Sequence, residues 1–218
     1  MKYKNGFLKL MVMLVFIPSF MKGQTVTAKN FFNSDTVTAV YLGIDFTLTR
    51  LINDEASNPT VIQSQQFNGI NYLIIKENKK YDVQEAYHRL NWIVNLKAVE
   101  ARNMKADPDQ LKSSNEGDLT RLKKSAIDSL VSKFDFGNQK GYGILLIVEG
   151  LSKSSKLATI WFNLINMGEA KVLVTQRVNG KLGSGFGFRN YWASAIKNAI
   201  GEVKHTYYDQ WKSGAGSQ

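Results

Sequence analysis

The sequence predicts an α/β (α+β) fold: a single mixed sheet with a C-terminal antiparallel hairpin, and helices packed on the sheet. Three observations carry this expectation. Ile144 to Val148 is a continuous apolar run bounded by Gly143 and Gly150, the pattern of a central strand covered on both faces. Residues 157–166 and 170–178 both alternate and are joined by the short turn Met167-Gly168-Glu169, which reads as a hairpin with Gly168 free to take positive φ. Stretches of helical period are interleaved with the strands and close the chain.

The elements follow in order. Lys2, Lys4 and Lys9 precede the apolar run Leu10 to Ile17 and then Pro18, so residues 1–23 read as a secretory signal peptide, cut after Gly23 or, alternatively, after Ser19. The run is too short for a comfortable membrane span. Residues 24–212 are expected to form a single α/β domain. Within it, 24–36 read as a poorly ordered lead-in, although Phe31 and Phe32 need cover. Residues 36–49 alternate, with Val40, Leu42, Ile44, Phe46 and Leu48 on one face, and give the first strand. Asn58-Pro59 is a helix-start pair, and Val61, Ile62, Gln66, Ile70, Leu73 and Ile74 continue a helix to about Glu77. Residues 70–76 alone also fit a strand.

Tyr81-Asp82 opens a shorter helix, with Val83, Ala86, Tyr87 and Leu90 on one side. Residues 92–99 read as a second strand and 107–117 as a loop. Residues 118–134 carry a helical stripe of Leu119, Leu122, Ala126, Leu130 and Phe134. In the hairpin, Trp161 falls on the less apolar face of its strand and is the first candidate for exposure or for cover by a helix. The closing helix starts at Asn190 as N-cap, with a stripe of Trp192, Ile196, Ala199, Ile200, Val203 and Tyr207, and ends near Trp211. Residues 213–218 are expected to be a flexible tail.

Charge and cysteine usage bound the function. Four of the 28 basic residues and none of the 18 acidic ones lie in the first 23, so the remainder carries a formal +6. A basic exported chain meets anionic glycans or lipid headgroups rather than nucleic acid, and no nucleic-acid motif is present. The chain has no cysteine. That excludes disulfides, thiol catalysis and a lipoprotein anchor, and fits a bacterial envelope, periplasmic or outer-membrane associated. No cofactor is implied.

The candidate chemistry is sparse. Gly180, Gly183, Gly185 and Gly187 precede the last helix, but Phe188 stands where a dinucleotide fingerprint needs glycine, and no P-loop lysine follows. The alternative is an irregular connection that presents Phe186 and Phe188 to the core or to a partner. Lys181, Phe186, Phe188, Arg189, Tyr191 and Trp192 are the candidate ligand-binding residues, with Lys181 and Arg189 as the basic ones. Asp107, Asp109 and Glu116 lack calcium-loop spacing, and His88 and His205 have no second ligand at metal spacing, so no metal site is expected. Asp45 and Glu149 would make a catalytic carboxylate pair only if they were neighbours in a cleft. No other catalytic residue suggests itself.

The segment Gly-Phe-Gly-Phe-Arg-Asn-Tyr-Trp, 185–192, together with the hairpin around Met167-Gly168-Glu169, resembles a family of exported, uncharacterised proteins of Bacteroidota. That resemblance implies export and no particular activity. The element order is also similar, as architecture, to the N-terminal domain of TolB and to CsgG-like envelope proteins, which implies an accessory role in assembly or secretion. The expected function is therefore non-enzymatic binding of another envelope component. The alternatives are an anionic glycan or lipid binder acting through the 181–189 loop, and a hydrolase of unrecognised type.

Overall fold

The computed structural model describes residues 25–216, so the expected signal peptide lies outside the described residues. Seven strands form one mixed sheet: β1 (Ala39–Asp45), β2 (Arg50–Ile52), β3 (Trp92–Val94), β4 (Lys112–Ser113), β5 (Tyr142–Ser152), β6 (Leu157–Asn166) and β7 (Lys171–Lys181). β1 and β2 lie end to end along one side of β5; β3 flanks β1 and β4 flanks β2, all parallel. β6 runs antiparallel to β5, and β7 antiparallel to β6. The hairpin matches the expectation, except that Ala170, at φ 49°, is the turn residue with positive φ rather than Gly168.

The helices are α1 (Ala28–Asn33), α2 (Pro59–Val61), α3 (Phe67–Lys76), α4 (Val83–Ala86), α5 (Lys97–Asn103), α6 (Lys124–Ser132), α7 (Gly187–Glu202) and α8 (Tyr208–Gly216). β5 is buried along its whole length. Its Ile144, Leu146 and Val148 enter a larger core shared with α1, α3, α4, α7 and α8; its Leu145 and Ile147 enter a smaller one with α6. Layers of helix on both faces explain why the apolar run is unbroken.

The expected alternation of the first strand changes sides. Gly43 has φ +95°, and the β1–β5 register slips between Tyr41 and Gly43. This bulge puts Ala39, Tyr41, Ile44 and Phe46 in the larger core and Val40 and Leu42 in the smaller one. Beyond the end of β3, β1 has no strand neighbour on that side. Two fully buried asparagines take its place: Asn71 accepts from Ile44 N and donates to Ile44 O, while Asn103 accepts from Phe46 N and donates to Ile44 O. Buried backbone groups need such partners wherever a sheet ends inside the protein.

Both long helices change register through a π segment. Asn58 caps α2, as expected, and the helix continues through Ile62–Gln66 in π geometry into α3. The extra residue buries Phe67 rather than Gln66. α7 passes through Val203–Tyr207 in the same way, so Tyr208 rather than Tyr207 is buried, and the helix continues to Gly216, past the end expected at Trp211. It also begins earlier: Phe186 is its N-cap, and Asn190 lies inside it.

Other expectations are corrected. The 24–36 stretch contains α1, capped by Thr27, with Phe31 and Phe32 buried. Leu90 is exposed. The second strand ends at Val94, because Asn95 Oδ1 accepts from Lys97 N and turns the chain into α5. The 107–117 stretch holds a turn of 3-10 helix and β4. Residues Glu116–Thr120 are 3-10 and α6 starts only at Lys124. The reason lies in the sheet: Glu149 draws Leu122 N, and Arg177 binds the carbonyls of Thr120 and Leu122.

Arg89 is buried without a carboxylate partner among the described residues, and it clasps two short helices. It donates to Phe31 O and Ser34 O at the end of α1, to Tyr87 O beyond α4, and to Tyr208 OH. The buried Tyr41 and Tyr87 hydroxyls have no hydrogen-bond partner among the described residues. Burial pushes both phenols above their ordinary value. The folded state thus favours the neutral phenols, and the unfolded chain ionises first. Stability is full below about pH 10 and falls as pH rises through it. Tyr41→Phe and Tyr87→Phe are each expected to raise stability at neutral pH by about 1 kcal/mol. The double variant should lose less on going alkaline, as urea unfolding at the two pH values will show.

Candidate functional site

The connection from β7 to α7 is held by hydrogen bonds from the helix that follows it. Asn198 Nδ2 donates to Lys181 O at 2.7 Å, Gly183 N to Ser194 Oγ at 2.9 Å, and Asn190 Nδ2 to Phe186 O at 3.1 Å. Asn190, Ser194 and Asn198 recur at four-residue spacing and form the face of α7 that does this. Gly185 packs so closely on α7 that a Cβ there would stand 2.4 Å from Asn190 O. The outcome is an ordered loop that leaves the Phe186 ring 96% exposed.

The loop separates two pockets of about 420 Å3 each. One lies against Gly183–Phe186 and is lined by Lys80, Tyr81, Ser194 and Lys197. The other lies at the start of α7, between Ser57, Lys153, Gly187, Phe188, Tyr191 and Trp192. Phe188 and Tyr191 are half-buried against the larger core, and Trp192 is fully buried. Lys153 also pairs with the buried Asp54 at 2.7 Å.

The candidate residues are thus divided. Phe188, Tyr191 and Trp192 share one pocket wall. Phe186 and Lys181 face solvent. Arg189 turns away to the neighbouring helix, where it donates to Gln66 Oε1 at 2.9 Å and to Gln65 O, lying over Gly69. Lys181 and Arg189 share neither pocket, so they form no common basic groove. The cations that line the two pockets are Lys80, Lys197 and Lys153, which the sequence reading missed. Lys197 was legible as part of the polar face of α7; Lys80 and Lys153 arrive from distant elements and carried no local signal.

The two carboxylates considered for catalysis are fully buried, each closed by its own arginine. Asp45 accepts from Arg102 Nε and from Thr47 N and Oγ1. Glu149 accepts from Arg177 Nε at 2.9 Å, Trp161 Nε1 at 2.8 Å and Leu122 N. Arg177 lies over the Trp161 ring, 4.7 Å from its centroid, so Trp161 is covered and only 7% exposed. These contacts hold strands to the elements around them. Neither carboxylate is presented to a cleft.

Glu116 is occupied as well. Hydroxyls of Ser154, Ser155 and Ser152 and the Asn53 amide donate to it, and these bonds hold its carboxyl below the usual range, Ser154 most of all. Asp107 accepts from Asp109 N. Among the described residues no group of three or more His, Asp or Glu is arranged to hold a metal ion. No helix among them is long and apolar enough to cross a membrane.

No protein-family model matches the sequence, and a search of curated proteins finds no match.

Proposed function

We propose that this is an exported, non-enzymatic protein that binds another component of the bacterial envelope, with Phe186 as the anchor of the contact. The exposure of Phe186 is the observation that supports this reading. A large apolar ring held in water by a loop whose backbone is tied at Lys181, Gly183 and Phe186 suits recognition, since ordered loops on rigid scaffolds carry binding residues. Lys80 and Lys197 line the pocket beside it. They favour a partner surface that is apolar at its centre and acidic at its rim. A role in envelope assembly or secretion accords with this reading.

The test is capture from envelope extract by the immobilised protein, in parallel with Phe186→Ala and with Lys181→Ala/Arg189→Ala. Loss of the captured component in Phe186→Ala, with an unchanged thermal transition, is the expected result. The lysine–arginine double variant should capture normally, because Arg189 is engaged with Gln66. Equal capture by Phe186→Ala and the unaltered protein would overturn the reading.

A further inference from the structure

The geometry points to a second interaction surface: the open edge of β3 and the groove beside it, which fit an uncharged peptide segment added as a further strand. It goes beyond the contact proposed above and does not rest on Phe186. β3 ends the sheet on one side. Its parallel pairing with β1 is framed by Ala39 N, which donates to Asn91 O, and by Asn95 N, which donates to Tyr41 O. In a parallel ladder alternate residues bond to the same neighbour, so Asn91, Ile93 and Asn95 face β1. The N–H and C=O groups of Trp92 and Val94 therefore point outward, and no backbone group among the described residues pairs with them. Edge strands are usually blunted by charge. β4, at the far end, begins with Lys112, and β7, the free side of the hairpin, carries Lys171, Arg177 and Lys181. β3 is Trp-Ile-Val, with Ile93 51% and Val94 42% exposed.

The groove supplies the selectivity. Trp92 and Val94 are in register with Ala39 and Tyr41, so their side chains lie on the larger-core face, and Ile93 lies on the other. On the larger-core face a pocket of about 230 Å3 opens between Tyr41, Trp92 and Val94 on the sheet, Ile74 and Ile75 at the end of α3, and the segment 81–84 that leads into α4. Its walls are tied together. The Tyr41 and Trp92 rings stack at 5.5 Å, and Gln84 Nε2 donates to Arg89 O and Leu90 O, joining α4 to the chain that enters β3. An extended main chain laid along β3 satisfies the outward groups and turns alternate side chains toward the pocket. The charged residues lining the pocket are Lys79 and Asp82, one of each sign, so the side chain it suits is uncharged. A second copy is the poorer occupant. A three-residue edge offers too little surface for the roughly 1,200 Å2 that a stable protein interface buries, whereas a peptide needs only its main chain and one anchoring side chain.

The experiment reads amide hydrogen exchange in the full 15N-labelled chain. In the free protein the Trp92 and Val94 amides should exchange fast and the Ile93 amide, which faces β1, slowly. Three peptides are titrated: acetyl-Thr-Val-Thr-X-Thr-Val-Thr-amide, with valine, leucine or phenylalanine at X. At least one is expected to protect Trp92 and Val94 saturably. Two further versions of the best binder are N-methylated at alternate residues, one in each phase. One phase removes the donors that face β3 and should bind about tenfold more weakly; the other should bind like the parent peptide.

Val94→Pro is the sharper variant. It removes an outward donor and no bond to β1, and proline is tolerated on edge strands where the N–H faces solvent. It should leave the thermal transition nearly unchanged and abolish peptide binding. Val94→Lys sets a charge at the pocket wall, should weaken binding about tenfold, and serves in place of Val94→Pro if that variant does not fold. Phe186→Ala should bind the peptides normally, which separates this surface from the partner contact. The proposal is overturned if none of the three peptides protects Trp92 and Val94, or if both methylated phases bind alike. It is also overturned if the two amides gain protection with protein concentration alone, which would assign the edge to a second copy.

Discussion

Arg177→Ala is expected to lower the stability by about 3–5 kcal/mol, because it leaves a buried carboxylate without its cation. Glu149 has no exposed surface, and Arg177 is its only salt-bridge partner among the described residues. The loss extends further. The same guanidinium binds the carbonyls of Thr120 and Leu122 and covers the Trp161 ring, so the 3-10 segment before α6 loses its tie to β7. Glu149→Gln in the Arg177→Ala background should recover part of the loss, since a neutral amide is cheaper to bury unpaired than a carboxylate. Urea unfolding of the two single variants and the double variant gives the coupling directly. If Arg177→Ala cost no more than about 1 kcal/mol, as an exposed ion pair does, the network would not be holding the smaller core together.

Gly180→Ala is expected to cost about 3 kcal/mol or more, an unusual result for one added methyl group. β7 passes α7 so closely that a Cβ at Gly180 would stand 2.0 Å from Ala195 O and 3.1 Å from the Ala199 Cβ. The first obstacle is helix backbone, which cannot turn aside, so α7 must lift from the sheet. Gly69→Ala provides the contrast. There the new Cβ meets the Arg189 guanidinium at 2.3 Å, the far end of a flexible side chain. Arg189 can swing away, and alanine is about 1 kcal/mol better than glycine in a helix interior. Gly69→Ala should therefore be close to neutral in Tm while Gly180→Ala lowers it by several degrees; similar losses in both would contradict the close approach of β7 and α7.

The fold class, the central strand, the hairpin and the α2–α3 start at Asn58-Pro59 were legible in the sequence. Each is written in local order: an unbroken apolar run, two alternating runs about a short turn, a cap followed by proline. The stripes were legible only up to the first backbone irregularity. The Gly43 bulge moved the later residues of β1 between cores, and each π segment moved the buried position along by one, to Phe67 and to Tyr208. Periodicity cannot announce these shifts, because each inserts a residue that packing, not spacing, makes favourable.

The candidate site divides in the same way. The exposure of Phe186 and the aromatic wall of Phe188, Tyr191 and Trp192 lie in one contiguous segment that the sequence singled out. Which cations approach that segment was decided by tertiary structure. Lys153 and Lys80 come from turns far away in the chain, while Arg189, adjacent in sequence, is drawn off by Gln66 across the helix interface. Only packing also determined that Asp45 and Glu149 are closed by Arg102 and Arg177. A side chain's type is local information. Its partner is fixed by which elements pack side by side, and in this sheet the partners of the buried charges lie 28 and 57 residues away.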